Sequence, residues 1–144
     1  MGSTVRREDG SILPLTIFFG MLALVVILVA TAATSLYLER KRLFTLADGA
    51  ALVGAEAFDL ADVRDAGGGY RPALESADVA AAAAAYLAST PTDLAQVRLE
   101  HAGTADGRSA TVELSAYWRP PVVTLFVPEG LRLEVTAVAR SVFS

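Results

Sequence analysis

The chain has no cysteine among its 144 residues, one histidine (His101) and one tryptophan (Trp118). Without cysteine there is no disulfide framework and no thiolate metal site. A single histidine leaves little from which to assemble a metal centre or a general base with an orienting partner. Basic excess is also lacking. The formal net charge is −4 and the pI is about 4.9, which argues against a nucleic-acid partner. Proline is missing between Pro14 and Pro72, and no charged residue or histidine occurs between Asp9 and Glu39.

That last gap frames what is present. The run from Ile12 to Leu38 is almost wholly apolar. A hydrocarbon core of ~30 Å needs ~20 such residues as a helix, and the run exceeds that. A helix satisfies its own backbone groups in lipid, so the bilayer is the first expected partner. A secretory signal peptide is the rival reading, but its apolar region usually runs ~7–15 residues. The Ala30, Ala32 and Ala33 pattern that resembles a cleavage site lies inside the run, which continues to Leu38. A retained span is therefore expected.

Four segments follow: a polar head or leader over 1–11, a transmembrane helix over 12–38, a helical stalk over 39–66, and a small domain over 67–144. Pro14 suits a first helical turn. With no further proline before Pro72, one helix is expected from about Leu13 to Val63, ~75 Å long. In the stalk, Leu36, Leu43, Ala50 and Ala57 recur every seven residues, and Leu46, Val53 and Leu60 supply a second heptad position. Gly49, Gly54, Ala47, Ala51 and Ala55 keep that helix thin. Gly20 and Ala23 do the same in the span, so Gly20, Ala23, Ala47, Ala51 and Gly54 are candidate helix-packing positions. The alternative is that the stalk lays its stripe on its own domain.

Gly67–Gly69 reads as a flexible turn. Pro72–Ala88, with six consecutive alanines from Ala80 to Ala85, reads as a second helix stopped by Ser89–Asp93. Val97, Leu99 and His101 alternate along a strand that puts His101 on the apolar face. Asp106–Gly107 is a hairpin turn. Ala110 to Trp118 and Leu131 to Ala139 alternate as two further strands. The fold class is α+β: a long N-terminal transmembrane and stalk helix, a second helix, then a small antiparallel sheet of about three strands.

No catalytic motif stands out: there is no G-x-S-x-G, P-loop or H-E-x-x-H. No enzyme, cofactor or metal is expected. Asp59, Asp62 and Asp65 read as a solvated helix face rather than a cation loop. Asp48 and Glu56, eight apart on the stalk, together with Glu39, are candidates for inter-subunit salt bridges to Arg40, Lys41 or Arg42 of a neighbour. Val122–Val127, uncharged between Pro121 and Pro128, is expected to be a buried short helix or strand, with an exposed contact as the alternative.

The N-terminal half resembles a known family. The head Arg6-Arg7-Glu8-Asp9-Gly10, the opening Ser11-Ile12-Leu13-Pro14-Leu15, then Tyr37 to Leu43 and Leu46 to Leu52 are similar to TadE/TadG-like pseudopilins of the Flp (tight adherence) pilus machinery, in their actinobacterial form. The C-terminal Leu133–Arg140 segment resembles them less specifically. The resemblance implies a pilin-like structural subunit or assembly factor. It implies an N-terminus in the cytoplasm and a domain outside the cell membrane. Its implied partners are other Tad/Flp subunits, or itself, through the N-terminal helix. It also implies cleavage by a prepilin peptidase between Gly10 and Ser11. Where pilins carry a glutamate five residues after the cut, this chain has Leu15. A membrane-anchored cell-envelope accessory protein that never enters a filament is the alternative. Charge leaves topology balanced, with Arg6, Arg7 and the terminal amine against Arg40, Lys41 and Arg42.

Overall fold

The computed structural model describes residues 12–57 and 73–140. In chain order they form α1 (Ile12–Ala55), α2 (Ser76–Ser89), β1 (Ala95–Gly103), β2 (Ser109–Trp118), α3 (Pro121–Thr124) and β3 (Leu131–Arg140), an α+β architecture. The chain divides into two units, Met1–Ser35 and Leu36–Ser144. Residues 39–57 of the stalk therefore belong to the folded unit rather than leading up to it.

In the first unit α1 is long and apolar enough to cross a membrane. Its few hydroxyls are turned back on the helix. Thr16 donates to the Ile12 carbonyl at 2.9 Å, Thr31 to Ile27 at 2.8 Å and Thr34 to Ala30 at 2.9 Å. That satisfies these three hydroxyl hydrogens where water is absent.

In the second unit, α1 buries Leu43, Leu46, Ala47, Ala50, Ala51, Gly54 and Ala55, an i, i+3, i+4 stripe. This stripe meets Val79 and Ala83 of α2 and the apolar face of the sheet in one core. The heptad leucines 43 and 46 thus pack at home. Gly54 lets the elements close: a Cβ there would stand 3.0 Å from Val79 Cγ1 and 3.4 Å from Ala110 Cβ. The helix ends at Ala55, short of the expected Val63. Its last turn tightens, with the Ala57 N–H donating to the Gly54 carbonyl at 3.2 Å. Leu60, Val63, Gly67–Gly69 and the three aspartates at 59, 62 and 65 lie outside the described residues.

Helix α2 starts at Ser76 rather than Pro72. The Leu74 N–H is drawn to the Gly107 carbonyl at 2.9 Å, and Glu75 is extended. The Ser76 hydroxyl accepts from the Thr104 N–H at 3.1 Å and donates to its carbonyl at 3.2 Å. These long-range bonds hold residues 74–76 against the hairpin, so helical geometry begins only at Ser76.

The sheet is antiparallel in the order β1-β2-β3. β2 and β3 pair without interruption from Ser109↔Arg140 to Trp118↔Leu131. β1 is irregular, with register shifts between Ala95 and Arg98 and between Leu99 and His101. Gln96 has φ +53° at the first, a left-handed conformation that a bulge tolerates. At the second, Glu100 is the extra residue. One inserted residue inverts the alternation, so His101 is exposed instead of facing the core as expected.

The Val122–Val127 segment also departs from expectation. It forms the single turn α3 and a following bend, and it is not buried: Leu125 is 79% and Phe126 83% exposed. Its backbone groups are satisfied locally. The Val127 N–H donates to the Val123 carbonyl at 2.8 Å and the Gly130 N–H to Val127 at 3.0 Å. Arg119 Nε donates to the Glu129 carbonyl at 3.1 Å. Gly130, at φ +81°, turns where a Cβ would lie 2.7 Å from Arg119 Cγ. Closed in this way, the loop directs its apolar side chains outward.

Candidate functional site

The surface that matters most is α1 itself. In the first unit Gly20 has no heavy atom of a packed neighbour within 4 Å of its Cβ direction, and Ala23 is exposed. Both remain open to another helix. Ala47, Ala51 and Gly54 are buried against their own α2 and sheet. They face inward, away from any neighbour.

The charged candidates on the same helix segment are placed differently. Arg40, Lys41, Arg42, Asp48 and Glu56 are exposed and Glu39 is half-buried. None of these six forms an ion pair among the described residues. The ion pairs present lie on the outer face of the sheet. Arg132 bonds Glu100 at 2.9 Å and Glu134 at 2.8 Å, and Arg140 stands 3.9 Å from Asp106. Ser115, 1% exposed, donates its hydroxyl to Glu100 at 2.5 Å.

Sequence reasoning passed over two members of the outward face. Phe44 is 48% and Leu52 51% exposed, and with Asp48 and Glu56 they step by four residues. The result is a stripe of alternating apolar and acidic side chains along one side of the helix. The spacing was the available signal; the seven-residue repeat drew attention to the buried side. Beside this face a groove is lined by Leu38, Lys41, Thr45, Tyr86, Pro91 and Asp93. It is open and holds no group of three metal-ligating side chains.

Residues 10–57 match the family model described as putative Flp pilus-assembly TadE/G-like. The TadE/G-like segment is about a third of the chain. It ends at Ala57, two residues past α1, so it carries both the apolar run and the stripe that builds the core. The match suggests involvement in Flp pilus assembly. The apolar half of the TadE/G-like segment is consistent with single-pass membrane anchoring. Gly10 and Ser11, at its start, lie outside the described residues. No curated protein and no solved structure matches the chain.

Proposed function

We propose that the protein is a single-span, pilin-like structural subunit or assembly factor of a Flp/Tad-type pilus or a related secretion apparatus. Its N-terminus is cytoplasmic and residues 39–144 lie outside. The observation that supports this is the coincidence of the TadE/G-like match, residues 10–57, with a helix made of two chemically distinct halves. The apolar half presents side chains on all sides. It associates with other helices where Gly20 and Ala23 let backbones approach. The second half offers a neighbour the Phe44–Asp48–Leu52–Glu56 stripe. Asp48 and Glu56 pair there with Arg40, Lys41 or Arg42 of an adjacent subunit, and partial burial between subunits gives such pairs more weight than exposed ones have.

Prepilin peptidase is the proposed processing partner at Gly10–Ser11. The test is the intact mass of the protein from native membranes, combined with a reporter fused after Ser144. A mature chain starting at Ser11 supports pilin-type handling, and a full-length chain supports a fixed assembly factor. A cytoplasmic reporter overturns the topology and with it this function. Leu15, in place of the usual acid, favours the second reading: an anchored cell-envelope accessory protein that never enters a filament. Its absence from sheared surface fibres, with retention in the membrane, distinguishes that case.

A further inference from the structure

The folded unit has a polarity that its contacts define. Near the end of α1, Gly54 packs on Ala110, and Ala110 pairs with Ala139. At the other end, Tyr37, Arg40 and Lys41 share a groove with Glu134 and Val135. β3 thus runs alongside α1 with Leu131 leading. At ~3.4 Å per residue Leu131 lies up to ~14 Å further from the Gly54 level than Val135 does. The β2–β3 connection, residues 119–130, therefore lies at the Tyr37–Lys41 end of the folded unit.

That connection carries Leu125 and Phe126, the two most exposed large apolar side chains among the described residues, above every described residue of the span. The local hydrogen bonds that close the loop hold them out as a fixed pair. The cations of Arg40, Lys41 and Arg42 lie at the same end, exposed and without an ion pair among the described residues. Glu134, the groove neighbour of Arg40 and Lys41, is already engaged by Arg132 at 2.8 Å. Exposed apolar side chains at the same end of a unit as exposed cations are the composition of a bilayer interface contact.

We propose that Leu125 and Phe126 insert into the interface of the same bilayer that holds α1, while Arg40, Lys41 and Arg42 lie on its anionic headgroups. A second copy is the poorer occupant. Two side chains offer ~300 Å², whereas a stable protein interface needs ~800 Å² per partner. The bilayer needs no such area, because the anchor makes the encounter intramolecular. The inference rests on α1 spanning a membrane.

The chain lacks cysteine, so single nitroxides can be placed without background. Full-length protein carrying Phe126→Cys, Val25→Cys or Glu113→Cys is reconstituted into vesicles of phosphatidylcholine and phosphatidylglycerol. Collisions of each nitroxide with oxygen and with an aqueous nickel chelate are then compared. The expected result is a several-fold oxygen preference for the labels at Val25 and Phe126 relative to that at Glu113, reduced at Phe126 in vesicles of phosphatidylcholine alone. If the Phe126 label is as open to nickel as the Glu113 label while the Val25 label is not, insertion is wrong and the anchor stands. Nickel access at Val25 overturns both. Spin–spin broadening at Phe126 that fades on dilution in lipid assigns the loop to a second copy and also overturns the proposal. An unchanged oxygen preference in phosphatidylcholine alone overturns the role of the three cations.

Discussion

The Tyr86 ring lies across Gly49, its hydroxyl in the space where a Cβ would stand and its Cζ 2.8 Å from that point. The glycine is therefore a seat for the ring, at the cost of helix propensity. Gly49→Ala gains ~1 kcal/mol of propensity but displaces the ring, an overpacking cost of ~1–3 kcal/mol. Net destabilisation is expected. In a Tyr86→Ala background the same change meets no ring and becomes stabilising by ~1 kcal/mol. Denaturant unfolding in micelles, followed by the fluorescence of the sole tryptophan, reads the sign reversal. The same sign in both backgrounds means that the ring does not set the cost.

The two sides of α1 in the folded unit respond differently. Leu43 is fully buried and Leu52 is 51% exposed. Leu43→Ala is expected to cost ~2–5 kcal/mol, while Leu52→Ala stays within ~0.5 kcal/mol and instead lowers recovery of the protein in assembled fibres. Melts of the two variants check the first expectation and pull-down of assembled material the second. Equal destabilisation would mean that the stripe does not pack on its own unit.

The turn at Asp106 contributes to stability in acid. Asp106 accepts the N–H of Arg108 at 2.9 Å and of Ser109 at 2.7 Å. These bonds, Arg108 first, with the Ser109 hydroxyl and Arg140 adding, lower its pKa from 3.8 to about 2. A depressed folded-state value stabilises above the unfolded value, and the contribution is lost as pH falls through the folded one. The loss is expected between about pH 4 and pH 2. Asp106→Asn should flatten the dependence of the urea midpoint on pH across that window; an unchanged slope would assign the acid sensitivity elsewhere.

On the outer sheet face, Glu100→Ala removes the acceptor of the Ser115 hydroxyl and one of two carboxylates on Arg132. The hydrogen bond contributes ~1 kcal/mol. The ion pair, with both partners more than a third exposed, adds less. The double variant Glu100→Ala/Ser115→Ala should be no less stable than Glu100→Ala alone, because it removes the orphaned hydroxyl. A double-mutant cycle measures that coupling, and strictly additive losses would show that the bond contributes nothing.

Local signals carried much of this architecture. The absence of proline after Pro14 gave α1, the alternation over Ala110–Trp118 and Leu131–Ala139 gave the paired strands, and Asp106–Gly107 gave their neighbouring turn. What was hidden depends on partners distant in sequence. The start of α2 is set by Gly107 and Thr104, some thirty residues on. The outward turn of His101 follows from a bulge defined only by pairing with β2. The apolar run at Val122–Val127 reads as core because exposure of Leu125 and Phe126 is a tertiary outcome. Of the outward stripe, the acids were visible, whereas Phe44 and Leu52 were masked by the stronger repeat beside them.

The stripe on α1 also orders events in time. α1 is made first, yet the sheet that covers its apolar side is complete only with β3, the last described element. At ordinary rates of ribosomal synthesis that interval is on the order of ten seconds. Throughout it, Leu43 and Leu46 are uncovered next to an apolar run already bound for the bilayer. The nascent helix must be kept from sinking past its proper depth, and Arg40, Lys41 and Arg42, between the run and the stripe, resist that slippage because a guanidinium or ammonium is costly to draw into hydrocarbon.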